Sequence, residues 1–366
     1  MSVRMNDGSS APGGERLLAD AASAAHGAPE RLSAVLTDLF LPDAHRPTDR
    51  QRSVMTLLLA GLARQVERAL RDALAPMFDA EAAPELVAAL DSARTEIAAP
   101  ILARARILRD RELVALLLAR AEEYRIVSGL RRIAEAGLDR IDDAAAADAA
   151  DAEEAALLNA ESRRFDRFHE PVIDSRDLPA EVLHRLVWRV AAALRDYMVR
   201  VQRIDPAMAD GAAMAAANRL LSAHDEGEAI EAAAMRFARH LNGAGRADDA
   251  ALVRALHLGR FALFVALMAV RAGIDHGAAF AMATDPGIGR LALLLRAIGV
   301  ADDAATGILF EMAAINGLPE DRLAERIEDC RAIAPDAAGE AIRPWRLDDG
   351  YRAAMAELAA GLAAAR

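Results

Sequence analysis

The chain has 366 residues, 54% of them hydrophobic but only 4% aromatic, and a formal net charge of −12. That apolar content excludes a disordered chain, while abundant alanine and sparse β-branched residues favour helix over strand. The acidic balance disfavours nucleic acid as a partner, and the lone Cys330 excludes an internal disulfide or a cysteine zinc site.

From the N-terminus, Arg4, Asp7, Glu15 and Arg16 leave no apolar core for a secretory signal. Residues 1–13 are predicted as a disordered lead, and residues 14–47 as two short helices, Leu17 to Ala25 and Arg31 to Phe40, with a proline linker. Thr48 is the expected N-cap of a long helix whose apolar positions Val54, Leu57, Leu58, Leu62, Val66, Leu70 and Leu74 repeat at helical period up to Pro76. Its outer face, with Arg64, Gln65, Arg68, Arg71 and Asp72, is expected in solvent, with Glu67 paired to Arg71.

Shorter helices are predicted over Pro84 to Ala93, Thr95 to Arg104 and Asp110 to Glu122, with Pro100 bending the second or moving its start. The stretch from Ile141 to Asn159 holds six acidic residues and no basic one, and reads as a loop feeding a helix through Leu157 and Leu158. It has no glycine turn or alternating oxygen ligands for calcium. A strong helix is expected after Asp177, with Trp188 at the edge of its apolar stripe. Further helices follow: Pro206 to Ser222, Glu226 to His240, Asp248 to Leu258, Arg260 to Ala272, His276 to Thr284, Gly287 to Ile298, Ala301 to Ile315, Glu320 to Ile333 and one from Gly350. Breaks are expected at Asn242-Gly243, Gly273, Asp285-Pro286-Gly287 and Asn316-Gly317. The uncharged runs Ser53 to Ala63 and Phe261 to Val270 fall short of the roughly 20 residues that span a bilayer, so a cytoplasmic protein is expected.

Residues 48–203 read as a HEAT-like helical array and residues 204–366 as a C-terminal helical region. The segments TDRQRSVMTLLLAGLARQVERALRDALA from Thr48, EIAAPILARARILRDRELVALL from Glu96, LLNAES from Leu157 and RDLPAEVLHRLVWRVAAALRDYM from Arg176 resemble the bacterial family known as domain of unknown function 2336. RALHLGRFALFVALMAVRAGI from Arg254 echoes it more weakly. The resemblance implies an all-helical, HEAT-like, intracellular protein of alphaproteobacteria with no established activity. The chain departs from it in the acidic loop before Leu157, and between Glu122 and Ala134, where polar positions expected between two helices are missing.

Candidates for chemistry are few. Asp166, His169 and Glu170, with Asp174 beyond them, have spacings that on a helix share one face and suit a divalent metal, but Arg163, Arg164 and Arg167 offer local ion pairing instead. The run His224 to Glu228 reads as one helix end followed by a helix start. Asp285-Pro-Gly-Ile-Gly-Arg290 lacks the lysine and preceding strand of a phosphate loop, and Cys330 reads as a buried, inert thiol. No catalytic signature and no cofactor motif emerges. The expected function is a non-catalytic scaffold or regulatory adaptor for other proteins, in contact through Arg64, Arg68 and Arg71 or through the edge at Trp188. The alternatives are a metal-dependent hydrolase at Asp166, His169 and Glu170, or a ligand-sensing bundle with a pocket along Phe261, Phe264, Val265 and Met268.

Overall fold

The computed structural model describes residues 48–92, 95–105, 110–136, 152–167, 169–348, 350–352, 354, 355 and 358. The expected helices at Leu17 to Ala25 and Arg31 to Phe40, and the acidic stretch as far as Asp151, lie outside them. In chain order the helices are α1 (Asp49–Leu74), α2 (Pro84–Asp91), α3 (Ala98–Ala105), α4 (Arg111–Ala136), α5 (Ala152–Ser162), α6 (Ala180–Arg200), α7 (Pro206–Ser222) and α8 (Ile230–Gly243). They continue with α9 (Asp249–His257), α10 (Phe261–Ala272), α11 (His276–Ala283), α12 (Gly289–Ala297), α13 (Asp302–Asn316), α14 (Glu320–Ala332) and α15 (Pro335–Ile342). The fold is all-α: among the described residues the only β pairing is an isolated bridge between Phe165 and Pro171.

Local chemistry sets the helix ends. Thr48 and Gln51 form a reciprocal capping box at α1, and Asp205, Asp248 and Asp275 each accept a backbone N–H from the first turn of α7, α9 and α11. Gly273 and Gly317 end α10 and α13 with φ of 67°, a left-handed conformation that only glycine adopts without cost. One expectation is resolved and three change. Pro100 moves the start of α3 to Ala98, which puts the proline in the first turn. α4 runs unbroken past Glu122 to Ala136 because neither proline nor a helix-stopping turn intervenes, so no junction of two helices falls there. Helix α15, opened by Pro335, lies where none was predicted, and the left-handed break after α8 falls at Gly245 rather than at Asn242-Gly243.

Packing groups the chain into two units. One joins the described residues of 48–121 to those of 158–233. Its core is built by α6 against α7, α1 and α3, with Leu62, Leu70, Val187, Val190 and Ala216 fully buried. The other comprises the described residues of 122–157 and 234–358. Here α9 to α13 each pack against the next helix in sequence, and α12 also receives α15. α10 is buried on every side from Phe261 to Ala269, as are Leu291 to Leu295 of α12. No single described helix is long and apolar enough to cross a membrane.

Candidate functional site

The first departure from expectation lies on α1. Glu67 and Arg71 do pair, at 3.3 Å, but with side chains only 3% and 5% exposed they belong to the interior. Arg71 is therefore not on an outer contact face. Its guanidinium donates from Nε to Leu90 O at 2.8 Å, and to the carbonyls of Ala89, Ser92 and Thr95, closing the C-terminal end of α2. Glu67 accepts from Ile97 N and Ala98 N at 2.8 and 2.9 Å, closing the N-terminal end of α3. One ion pair thus satisfies the orphan backbone groups on both sides of the α2–α3 connection.

The same device recurs. Arg125 donates to Ile315 O, Arg271 to Ile298 O, Arg296 to Ile333 O and Arg346 to Ala272 O, each at or just beyond a helix C-terminus. A guanidinium suits this task because its fork presents five donors and keeps its charge when buried.

The densest charge cluster lies between α5 and α6. The segment after Ser162 turns back on itself: Val172 N donates to Arg164 O at 2.9 Å, and Asp166 N to Glu170 O at 3.0 Å. Arg120 of α4, 2% exposed, clamps this turn by donating to Arg164 O at 2.6 Å and Val172 O at 3.2 Å, with its guanidinium 5.4 Å from the Phe165 ring centre. Arg163 donates to Glu228 O at 2.8 Å and lies 3.5 Å from Asp177, while Arg164 pairs with Glu231 at 2.7 Å. Asp177 Oδ1 accepts from Ile230 N at 3.1 Å and so caps α8. In return Glu226 accepts from Ala180 N and His224 Nε2 lies 3.0 Å from Leu178 O, at the start of α6.

Two carboxylates in this cluster behave oppositely. Burial pushes the Asp177 carboxyl above the usual range, and the neighbouring Glu231 adds to it, against Arg164 and Arg163. Burial acts upward on Asp174 too, but hydrogen bonds from the side chain and backbone of Arg176, with the charges of Arg176 and Arg163, outweigh it and hold Asp174 below that range.

Asp166, His169 and Glu170 do not share a helical face, because α5 has ended at Ser162. They form the tip of the turn, where Asp166 Oδ1 accepts from Glu170 N at 2.9 Å and His169 adopts φ of 60°. Among the described residues no three His, Cys, Asp or Glu side chains are grouped to hold a metal ion. In the Asp285 turn the carboxylate accepts from the backbone and guanidinium of Arg290, both at 3.0 Å, and so occupies the place an anion would take. Phe261, Phe264, Val265 and Met268 are packed core, at most 2% exposed. Cys330 is buried, donates to Ala292 O at 3.2 Å and has its pKa pushed up by burial to about 11, so it is a poor nucleophile.

The surface residues differ in kind. Arg64 and Arg68 are exposed on α1, and Arg64 pairs with Glu96 at 3.4 Å. Trp188 is half-buried at the edge of α6, its Nε1 donating to exposed His184 at 3.0 Å. Arg185 and Arg189 beside it both pair with Asp110.

Residues 97–343 match the family model described as an uncharacterised protein conserved in bacteria (DUF2336). The chain belongs to this family. Neither the curated proteins nor the solved structures searched contain a match. The family's span takes in the whole charge cluster and the arginines that close α12, α13 and α14. Sequence reasoning missed Arg120 and Asp177 as organisers. Asp177 ahead of Leu178-Pro179 carries a turn signal, but its cap lies on a helix more than fifty positions away, where no local pattern points.

Proposed function

We propose that this chain is a non-catalytic interaction protein, a scaffold or adaptor built as a HEAT-like array, which engages another protein through the Trp188 edge of α6 and the exposed arginines of α1. One observation carries this reading. The charged side chains best placed for chemistry, from Glu67 and Arg71 to Asp174, Asp177 and Arg164, are already engaged with helix ends and one another. Trp188, by contrast, is an aromatic at a helix edge whose ring stands edge-on to exposed His184, a composition favoured at binding hot spots. The succession of helices packing on their sequence neighbours from α9 to α14 supports the repeat architecture, in which binding follows a continuous surface. A cytoplasmic location belongs to the same proposal.

The test is affinity capture of the tagged full chain from its native cell beside an unrelated acidic helical protein. A specific protein recovered in near-stoichiometric amount and lost with Trp188→Ala supports the reading. Recovery of chaperones alone, or a partner indifferent to both Trp188→Ala and Arg68→Glu, contradicts it.

A further inference from the structure

The exposed strip of α7 centred on Gly211 carries no charged residue. Its inner face, Ala209, Ala213, Ala216 and Ala217, is buried against α6 and α1. Its outer face presents Ala207, Gly211, Ala215 and Asn218, flanked by Met208 and Met214, which are 57% and 55% exposed. A side chain added at Gly211 would meet nothing within 4 Å. With about 100° and 1.5 Å per residue, all of these positions lie within about 60° of the Gly211 direction. Asp210, just outside the face, is turned aside into a 2.7 Å pair with Arg195.

We propose that this face is the interface of a homodimer, in which α7 packs antiparallel on α7 of a second copy about a two-fold axis at Gly211. The pattern is self-complementary, as a two-fold interface requires. When two such helices are laid antiparallel, each Met208 falls over Ala215 of the second copy and each Met214 over its Ala207, large side chains against small ones. Gly211 meets itself at the closest approach. The ends of the face supply charge complementarity. Exposed Arg219 at one end comes within about 3 Å of axial register with exposed Asp205 of the second copy, on the same side of the helix pair. A parallel arrangement would set Arg219 against Arg219. A single helix pair buries less than the roughly 1,200–2,000 Å² of a standard stable interface, so the association depends on concentration.

The inference is independent of the adaptor reading. Its test is sedimentation velocity of the full chain from low to high micromolar concentration. The wild-type mass should rise from one chain to two, and the doubly charged variant Met208→Glu with Met214→Glu should stay at one chain with an unchanged circular dichroism melt. Gly211→Cys places a thiol on the axis and should form a disulfide-linked dimer under mild oxidation. Gly307→Cys, on α13, should not. A wild-type chain that remains single throughout, a dimer that survives both glutamates, or a Gly211→Cys variant that does not cross-link would overturn the proposal.

Discussion

Arg71 makes four kinds of contact with backbone carbonyls and one with Glu67, all away from solvent. Replacing it with methionine keeps much of the volume but leaves Glu67 buried without its counter-charge, and strips the acceptors at the end of α2. Loss of one partner of a buried pair costs about 3–5 kcal/mol, so Arg71→Met should lower the urea midpoint far more than Arg68→Met on the exposed side. Equal midpoints would show that the pair contributes nothing. The carboxylates of the charge cluster make a second residue-scale prediction. Because the folded-state pKa of Asp177 is raised, its contribution to stability is fully present below its unfolded pKa and is lost as pH rises through the folded value. For Asp174, held low, the contribution is present above the unfolded pKa and is lost as pH falls through the folded value. Carbon-detected NMR titration of the two carboxyls, assigned with Asp177→Asn and Asp174→Asn, should show Asp177 taking up its proton at the higher pH; the reverse order would contradict the geometry. The i,i+4 spacing made the Glu67–Arg71 pair legible, but not its burial. What covers it is the α2–α3 connection, thirty or so positions further on, and a helical pattern reports which side of α1 is apolar rather than what lies over its margin.

Among elements, α4 and α13 show how closely helices approach where glycine allows it. A Cβ at Gly129 would stand 2.8 and 2.9 Å from Ile315 Cγ1 and Cγ2, while at Gly307 it would meet nothing within 4 Å. Gly129→Ala should therefore destabilise by about 1–3 kcal/mol through overpacking. Gly307→Ala, in the interior of α13, should stabilise by up to about 1 kcal/mol through helix propensity. Chemical denaturation of the two variants measures this, and a like sign for both would refute the packing account. Several element ends were readable from local chemistry: capping side chains of Thr48, Asp205, Asp248 and Asp275 at starts, and the left-handed backbone of Gly273 and Gly317 at stops. The unbroken α4 and the short α15 were not, since the first has no end signal at Glu122 and the second offers only Pro335 and one turn of alanines.

For the whole molecule, the sequence carries arginine and no lysine, and the structure gives that choice a physical meaning that composition alone does not. Guanidinium groups reach from one helix to the carbonyl end of another at Arg71, Arg125, Arg271, Arg296 and Arg346. Helices with few aromatic residues are thereby tied by polar contacts at their ends as well as by alanine and leucine packing between them. A division of the sequence at residue 203 follows the chain linearly, whereas packing joins the described residues of 158–233 to those of 48–121, because an apolar stripe does not name the helix it will meet. The proposed function separates two tasks: interior charges hold helix ends, and the surface at Trp188 is proposed to meet a partner. The most direct test compares Trp188→Ala with Arg71→Met in both partner capture and denaturant unfolding. The expected result is that Trp188→Ala, which also gives up part of its contact with the core, loses the partner with a smaller loss of stability than Arg71→Met, while Arg71→Met, kept below its unfolding transition, still captures the partner. Retention of the partner by Trp188→Ala, with loss by folded Arg71→Met, would contradict it and place recognition in the buried charges.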